Sequence, residues 1–257
     1  MLKEMNILDE LGKVPIDGSS VEAGKPYQDI VNADFFLPGH RNNSRMRANR
    51  IAEVLRYIIN KDLLDLGCNV GTISKRLAEL GAHVHGVDYD AASIAVAEKY
   101  NPGSTYEVRT IDLEYIRSLP HYDIIVWVSQ FMWIAKQRGL EYALDCLWEI
   151  GRHCDILVFE TAGIDDGSAP LPYSQEEIFK VLCKNTIFAD IKDWGQWNDL
   201  WTPRNVFVCK YPLVKQESLH SSVETKRRGT IQKTFKDTAY AKDLKQRSAM
   251  FLNKLQE

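Results

Sequence analysis

Cysteine is scarce in this chain, and long apolar runs are absent. The 257 residues hold five cysteines, at positions 68, 146, 154, 183 and 209, an odd and scattered set without a C-x-x-C pair. That spacing supports neither a disulfide framework nor a zinc site, and no metal is expected. No stretch reaches the roughly 18 uninterrupted apolar residues of a membrane span. The opening MLKEMNILDELGK carries charges where a secretion signal would be apolar, so a cytoplasmic protein without a membrane span is expected. Also missing is G-x-G-x-x-G, the turn that admits a pyrophosphate. No H-R-D or D-F-G is present, so phosphoryl transfer is not supported.

What is present is the composition of an ordinary folded protein, with 45% hydrophobic and 26% charged residues in a chain long enough for one large domain and an appendage. The formal charge of −3 hides an asymmetry, since residues 215–257 carry ten Lys/Arg against five Asp/Glu and leave −8 on the rest. A body this acidic is poorly suited to gripping a long phosphate backbone, which makes a nucleic-acid partner the less favoured one.

Between about residue 60 and residue 211 short apolar runs alternate with helical patterns, as in a parallel sheet with crossover helices. Strands are predicted at Asp62–Leu66, His83–Val87, Tyr106–Val108, Ile124–Val128, Ile156–Phe159, Ile187–Ile191 and Val206–Tyr211, the last two as an antiparallel hairpin closing the sheet. Ile51, Val54, Leu55, Ile58 and Ile59 repeat at helical spacing after a capping Asn43-Ser44, so a covering helix is predicted ahead of the first strand. The predicted fold is an α/β, Rossmann-like, doubly wound and mostly parallel seven-stranded sheet, with an N-terminal covering segment and a C-terminal strand-helix tail.

The most informative segment is D-L-G-C-N-V-G, Asp65 to Gly71, where an apolar strand runs into a glycine-bearing turn and a helix. Gly67 and Gly71 permit a tight turn and close approach of a ligand, which Cys68 and Asn69 between them would meet through the backbone. Seventeen residues after Gly71, Gly86-Val87-Asp88 ends the second strand with a carboxylate placed to accept both hydroxyls of a ribose. Ile111-Asp112-Leu113 follows the third strand, where Asp112 either accepts from an adenine amino group or caps the next helix. Asp65 either orients the turn or meets the ligand directly, and Cys68 is a small filler. These positions describe an adenosine without phosphates.

D-L-G-C-N-V-G, G-V-D and I-D in this order resemble motifs I, II and III of the class I S-adenosylmethionine methyltransferases, over roughly residues 45–211. The resemblance implies S-adenosyl-L-methionine as cofactor, with Tyr89 beside Asp88, Leu113 beside Asp112 and Ser129 after the fourth strand among its contacts. A narrower resemblance is to the methyltransferase half of the bifunctional methyltransferase-kinases that terminate bacterial O-antigen chains. There K-P-Y-Q-D-I and N-S-R-M imply that Tyr27 and Arg45 reach over the cofactor, with Arg41, Arg47 and Arg50 competing for the arginine's role. The family's histidines after the fourth strand are missing, since the segment reads Ser129-Gln130-Phe131-Met132-Trp133. Glu160, ending the fifth strand, and His40 are then the candidates for a general base, followed by Asp165 and Asp166. The acceptor implied is a small molecule, a sugar or a phosphorylated glycan terminus, with RNA or a non-catalytic scaffold role as alternatives.

After Tyr211-Pro212 the pattern stops. The expected organisation is a covering segment over 1–50, a methyltransferase domain over 51–212, a linker over 213–228 and a basic strand-helix tail over 229–257. The tail resembles the start of the kinase half of the same family, Lys233 included, and otherwise reads as a helix that docks on a partner or second copy.

Overall fold

The computed structural model describes residues 21–22, 25–26, 28, 30–31, 36–37, 44–167, 169–196 and 204–212. Four two-residue strands come first, β1 (Val21–Glu22) paired with β2 (Lys25–Pro26) and β3 (Ile30–Val31) with β4 (Phe36–Leu37), both antiparallel. Helix α1 spans Ser44–Leu55. The chain then alternates β5 (Asp62–Leu66), α2 (Thr72–Glu79), β6 (His83–Asp88), α3 (Ala91–Tyr100), β7 (Thr105–Val108), α4 (Leu113–Ser118) and β8 (Tyr122–Val128). It continues with α5 (Phe131–Arg138), α6 (Leu140–Ile150), β9 (Cys154–Glu160), α7 (Gln175–Asn185), β10 (Phe188–Gln196) and β11 (Asn205–Pro212).

The seven long strands form one sheet in the order β10-β11-β9-β8-β5-β6-β7. All neighbours run parallel except β11, which is antiparallel to both β9 and β10. The predicted Rossmann-like sheet and its closing hairpin are both present. Parallel strands are covered on both faces and so read as continuous apolar runs. In β8 alternate residues separate accordingly: Ile124, Val126 and Val128 pack with Leu63 and Val158 beneath α1 and α2, while Ile125 and Trp127 pack with Leu64, Leu157 and Phe159 beneath α5, α6 and α7.

Helix α1 ends earlier than its apolar pattern predicts. Arg56 takes a left-handed backbone, φ 60°, so Ile58 returns to the core while Ile59 is turned out, 71% exposed. The helix also runs through residue 50, where the sequence pattern divides covering segment from domain. The linker and basic tail lie outside the described residues. Among the described residues no helix is long and apolar enough to cross a membrane.

Strand order reverses between β5, which leads to β6 on one side, and β8 on the other. In open α/β sheets the crevice for a ligand lies at the carboxyl ends of the strands flanking such a reversal. The glycine turn after β5 and the Ser129-Gln130 corner after β8 meet there.

Candidate functional site

The turn leaving β5 is built from three left-handed residues in five: Gly67 at φ 82°, Asn69 at φ 52° and Gly71 at φ 75°. The two glycines serve different neighbours. A Cβ on Gly67 would fall inside the Gln130 side chain, so this glycine makes room for the corner after β8. One on Gly71 would lie 2.6 Å from the Tyr106 hydroxyl and 3.0 Å from Ala97 Cβ, so that glycine accommodates packing beneath the turn. Gln28, buried in the covering segment, accepts from the Thr72 N–H through its side-chain oxygen at 3.4 Å, at the first turn of α2. It lies beside Tyr27 in K-P-Y-Q-D-I, and that adjacency was the signal that could have found it.

Asp88 ends β6 against this turn. Its two carboxylate oxygens accept from the Asn69 N–H at 2.9 Å and the Asp90 N–H at 3.0 Å, and the Tyr89 N–H also bonds to the carboxylate. A carboxylate has about four lone-pair sites, which leaves capacity to accept a ligand hydroxyl as well. Burial pushes the Asp88 carboxyl above its ordinary range, against the pull of those N–H donors. Asp65 is buried on the same side, accepts from the Ser74 hydroxyl at 2.6 Å, and is pushed up to about 6 by burial, with the Asp88 charge adding to the rise. Cys68 is fully buried behind the turn, and its thiol is driven well above the ordinary range by burial and then by the neighbouring Asp65 and Asp88 charges. It is a filler rather than a nucleophile.

Along the rim, Asp112 caps α4 by accepting from the Tyr115 N–H at 2.8 Å. The Leu113 N–H donates to the Tyr142 hydroxyl at 3.0 Å. Tyr89, next to Asp88 in the chain, is 58% exposed.

The most developed feature is a buried ionic cluster at the ends of β8 and β9. Arg47 of α1 donates to Glu160 Oε2 and, at 3.2 Å, to the Ser129 hydroxyl. Arg204, immediately before β11, donates from Nη1 to Glu160 Oε1 and to Ser129 Oγ, both at 3.0 Å. Its Nε and Nη2 donate to Asp166 Oδ2 at 3.0 and 2.6 Å. All five residues are buried, with Glu160 fully so. Burial opposes the Arg204 charge, but the Glu160 and Asp166 carboxylates outweigh it and hold that guanidinium firmly protonated.

This arrangement revises two sequence expectations. Glu160 has an oxygen on each of two guanidiniums and no exposed surface, so it is built as the anion of a cluster rather than as a free proton acceptor. Arg45 faces solvent, whereas Arg47 turns inward, because two positions on an α-helix differ by about 200°. Ser129 stands where expected, but its hydroxyl is committed to the cluster. Asp165 is exposed. Tyr27 and His40 lie outside the described residues. Arg204, unmarked in the sequence, is the residue whose role only the fold discloses. A groove of about 700 Å³ lined by Phe179, Ile191, Trp194 and Asn205 opens beside the closing hairpin, but it shares no residue with the glycine turn.

Comparisons with known proteins agree with this geometry. Residues 64–151, from β5 through α6, match the family described as Methyltransferase domain. The ubiquinone biosynthesis O-methyltransferase of Cronobacter sakazakii is 30% identical over 122 residues, 46% of this chain and 50% of that protein. The malonyl-[acyl-carrier protein] O-methyltransferase of Bacillus cereus is 28% identical over 103 residues, 39% of this chain and 37% of that protein. The chain thus spans about half or less of the length of these relatives. Among solved structures, the bifunctional kinase-methyltransferase WbdD superposes with a TM-score of 0.59 at 19% identity, covering 79% of this chain and 46% of that one. Magnesium protoporphyrin IX methyltransferase from Synechocystis PCC 6803, solved with bound SAM, has a TM-score of 0.51 at 18% identity and covers 65% of this chain and 78% of that one.

Proposed function

We propose, from the premise that residues 64–151 form a class I methyltransferase domain, that the chain transfers a methyl group from S-adenosylmethionine to an oxygen acceptor. The observation that carries this reading is the Asp88 carboxylate held against the Gly67–Gly71 turn by backbone N–H groups, with acceptor capacity left. The residues fit the group. Two buried carboxylates, Asp65 and Asp88, flank a turn that would repel a phosphate and would welcome a ligand carrying a sulfonium and an ammonium. Gly67 lets the Gln130 side chain, which ends in a flexible amide, lie directly against the backbone of the turn, where a side chain would not fit.

When bound, the cofactor supplies an activated sulfonium methyl. The chain's own task is then to hold donor and acceptor in line and exclude water. Asp88 would take the ribose hydroxyls. Asp112 keeps its second oxygen for the adenine amino group while its first caps α4. Asp65 and the Gly67 backbone would face the methionine end, beneath the Ser129-Gln130 corner. With Glu160 committed to two arginines and Asp166 to Arg204, His40 and Asp165 remain the candidates for a general base, should the acceptor require one.

The acceptor proposed is a sugar or phosphorylated glycan terminus. Its support is the resemblance of K-P-Y-Q-D-I and N-S-R-M to the O-antigen family together with the fold shared with WbdD. Titration with S-adenosylmethionine, followed by turnover on a glycan panel and on bulk transfer RNA, tests the reading. Binding without turnover on any acceptor would leave a scaffold.

Asp88→Ala is expected to weaken cofactor binding by about 1.5–3 kcal/mol, roughly ten- to hundredfold in Kd, because a charged acceptor for two hydroxyls is lost. Fluorescence titration of the folded variant checks this, and an unchanged Kd removes Asp88 from the ribose site. The domain is proposed to end at Pro212, where β11 closes the sheet. Deleting residues 218–257 should therefore leave cofactor affinity intact and lower Tm by less than about 8 °C. A larger fall would make the basic tail part of the domain.

A further inference from the structure

We propose that Arg204 and Asp166 are positioning residues for the methionine end of the cofactor, acting through Ser129. The inference rests on the cofactor site proposed above and extends it to residues that do not touch the ligand.

Ser129 joins β8 to α5 in a left-handed conformation, φ 60°, which costs a non-glycine residue free energy and persists only where surroundings enforce it. The surroundings are specific. Its hydroxyl accepts from Arg47 at 3.2 Å and Arg204 at 3.0 Å, and donates to Glu160 at 3.1 Å. One donor and two lone pairs are the full capacity of a hydroxyl. Its backbone N–H also donates to the Glu160 carbonyl at 3.1 Å. The next residue, Gln130, lays its side chain over Gly67, on the crevice side of the glycine turn. The corner that bounds the methionine end is thus fixed by an ionic cluster behind it.

Arg204 is the member that ties this corner to the rest of the rim. One face of its guanidinium holds Glu160 and Ser129, and the other holds Asp166 in the loop between β9 and α7. Asp166 in turn accepts from the Ala169 N–H at 3.4 Å, within that same loop. Displacing Arg204 would remove one of the three hydroxyl bonds that fix Ser129 on one side and the anchor of the loop on the other. The ribose and adenine positions, at Asp88 and Asp112, make no contact with the cluster in any hydrogen bond of either carboxylate.

That division supplies the test. S-adenosylhomocysteine carries the amino-acid end, and 5′-methylthioadenosine carries the adenosine and sulfur without it. In calorimetric titrations of the full chain, Arg204→Lys, which keeps the charge but loses the fork, should weaken S-adenosylhomocysteine at least tenfold and methylthioadenosine less than twofold. Asp166→Asn should move the same way by about threefold. Ser129→Ala, which leaves all four charges paired, should also weaken S-adenosylhomocysteine selectively. Equal weakening of both ligands would reduce the cluster to a support for the fold, and unchanged affinities for both would overturn the proposal outright. Failure of the wild-type chain to bind either ligand would instead defeat the cofactor reading on which the proposal stands.

Discussion

Glu160→Ala should be among the most destabilising single substitutions in the chain, lowering Tm by roughly 6–20 °C. The carboxylate is fully buried and binds two guanidiniums and a hydroxyl. Removing it leaves Arg47 and Arg204 facing each other across Ser129 with Asp166 as the remaining carboxylate of the cluster. Breaking a buried pair by deleting one partner costs about 3–5 kcal/mol, because an uncompensated charge stays in a medium that solvates it poorly. For a domain of this size each kcal/mol is worth about 2–4 °C, which places the fall at roughly 6–20 °C. Glu160→Gln keeps the shape and loses the charge, so it should fall between wild type and the alanine variant. Thermal unfolding followed by circular dichroism measures both. A residue serving only as a general base would behave oppositely, since its removal spares stability and abolishes turnover. A Glu160→Ala chain melting within about 3 °C of wild type would return Glu160 to the list of candidate bases.

The contrast between cofactor loop and cluster also explains what could be read in advance. The glycine turn, Asp88 and Asp112 lie at or just beyond strand ends, and each is announced by its own short segment: D-L-G-C-N-V-G, G-V-D, I-D. The sheet was legible for the same reason, because each strand is a local apolar run and the closing hairpin needs only a loop. The cluster is held by long-range contacts instead. Arg47 and Glu160 are 113 residues apart, and Arg204 and Ser129 are 75 apart. No spacing rule connects such residues. One part did carry a signal. Ser44, Arg47, Ala48, Ile51, Val54 and Leu55 are the buried positions of α1, a single stripe at helical spacing, and Arg47 lies on it while Arg45 does not. An arginine on the apolar stripe of a helix needs a buried acid, and the family pattern pointed instead to the residue two places earlier. The Leu113 N–H illustrates the same limit, because its partner Tyr142 belongs to a helix three elements further along.

Gly67→Val should abolish cofactor binding while leaving most of the fold standing, a larger effect on affinity than that of Asp88→Ala. Two penalties combine. At φ 82° a β-branched residue sits in a region that glycine occupies freely and side chains rarely do, at a cost of about 1–3 kcal/mol. The added Cβ also points into the volume taken by the Gln130 side chain, above the turn on which the ligand is proposed to lie. Gln130 ends in a flexible amide and can swing aside in the free protein, so the fold tolerates the change. The ligand cannot, since the two valine methyls would then fill its own space. Gly71 provides the control. A Cβ there meets the Tyr106 hydroxyl at 2.6 Å and Ala97 at 3.0 Å, inside the packing between the turn, β7 and α3. Gly71→Ala should therefore lower Tm, with any loss of affinity following from that. Circular dichroism and calorimetric titration of both variants separate the cases. A folded Gly67→Val chain with normal affinity would mean that the ligand does not rest on this turn, and the site would have to be sought elsewhere along the rim.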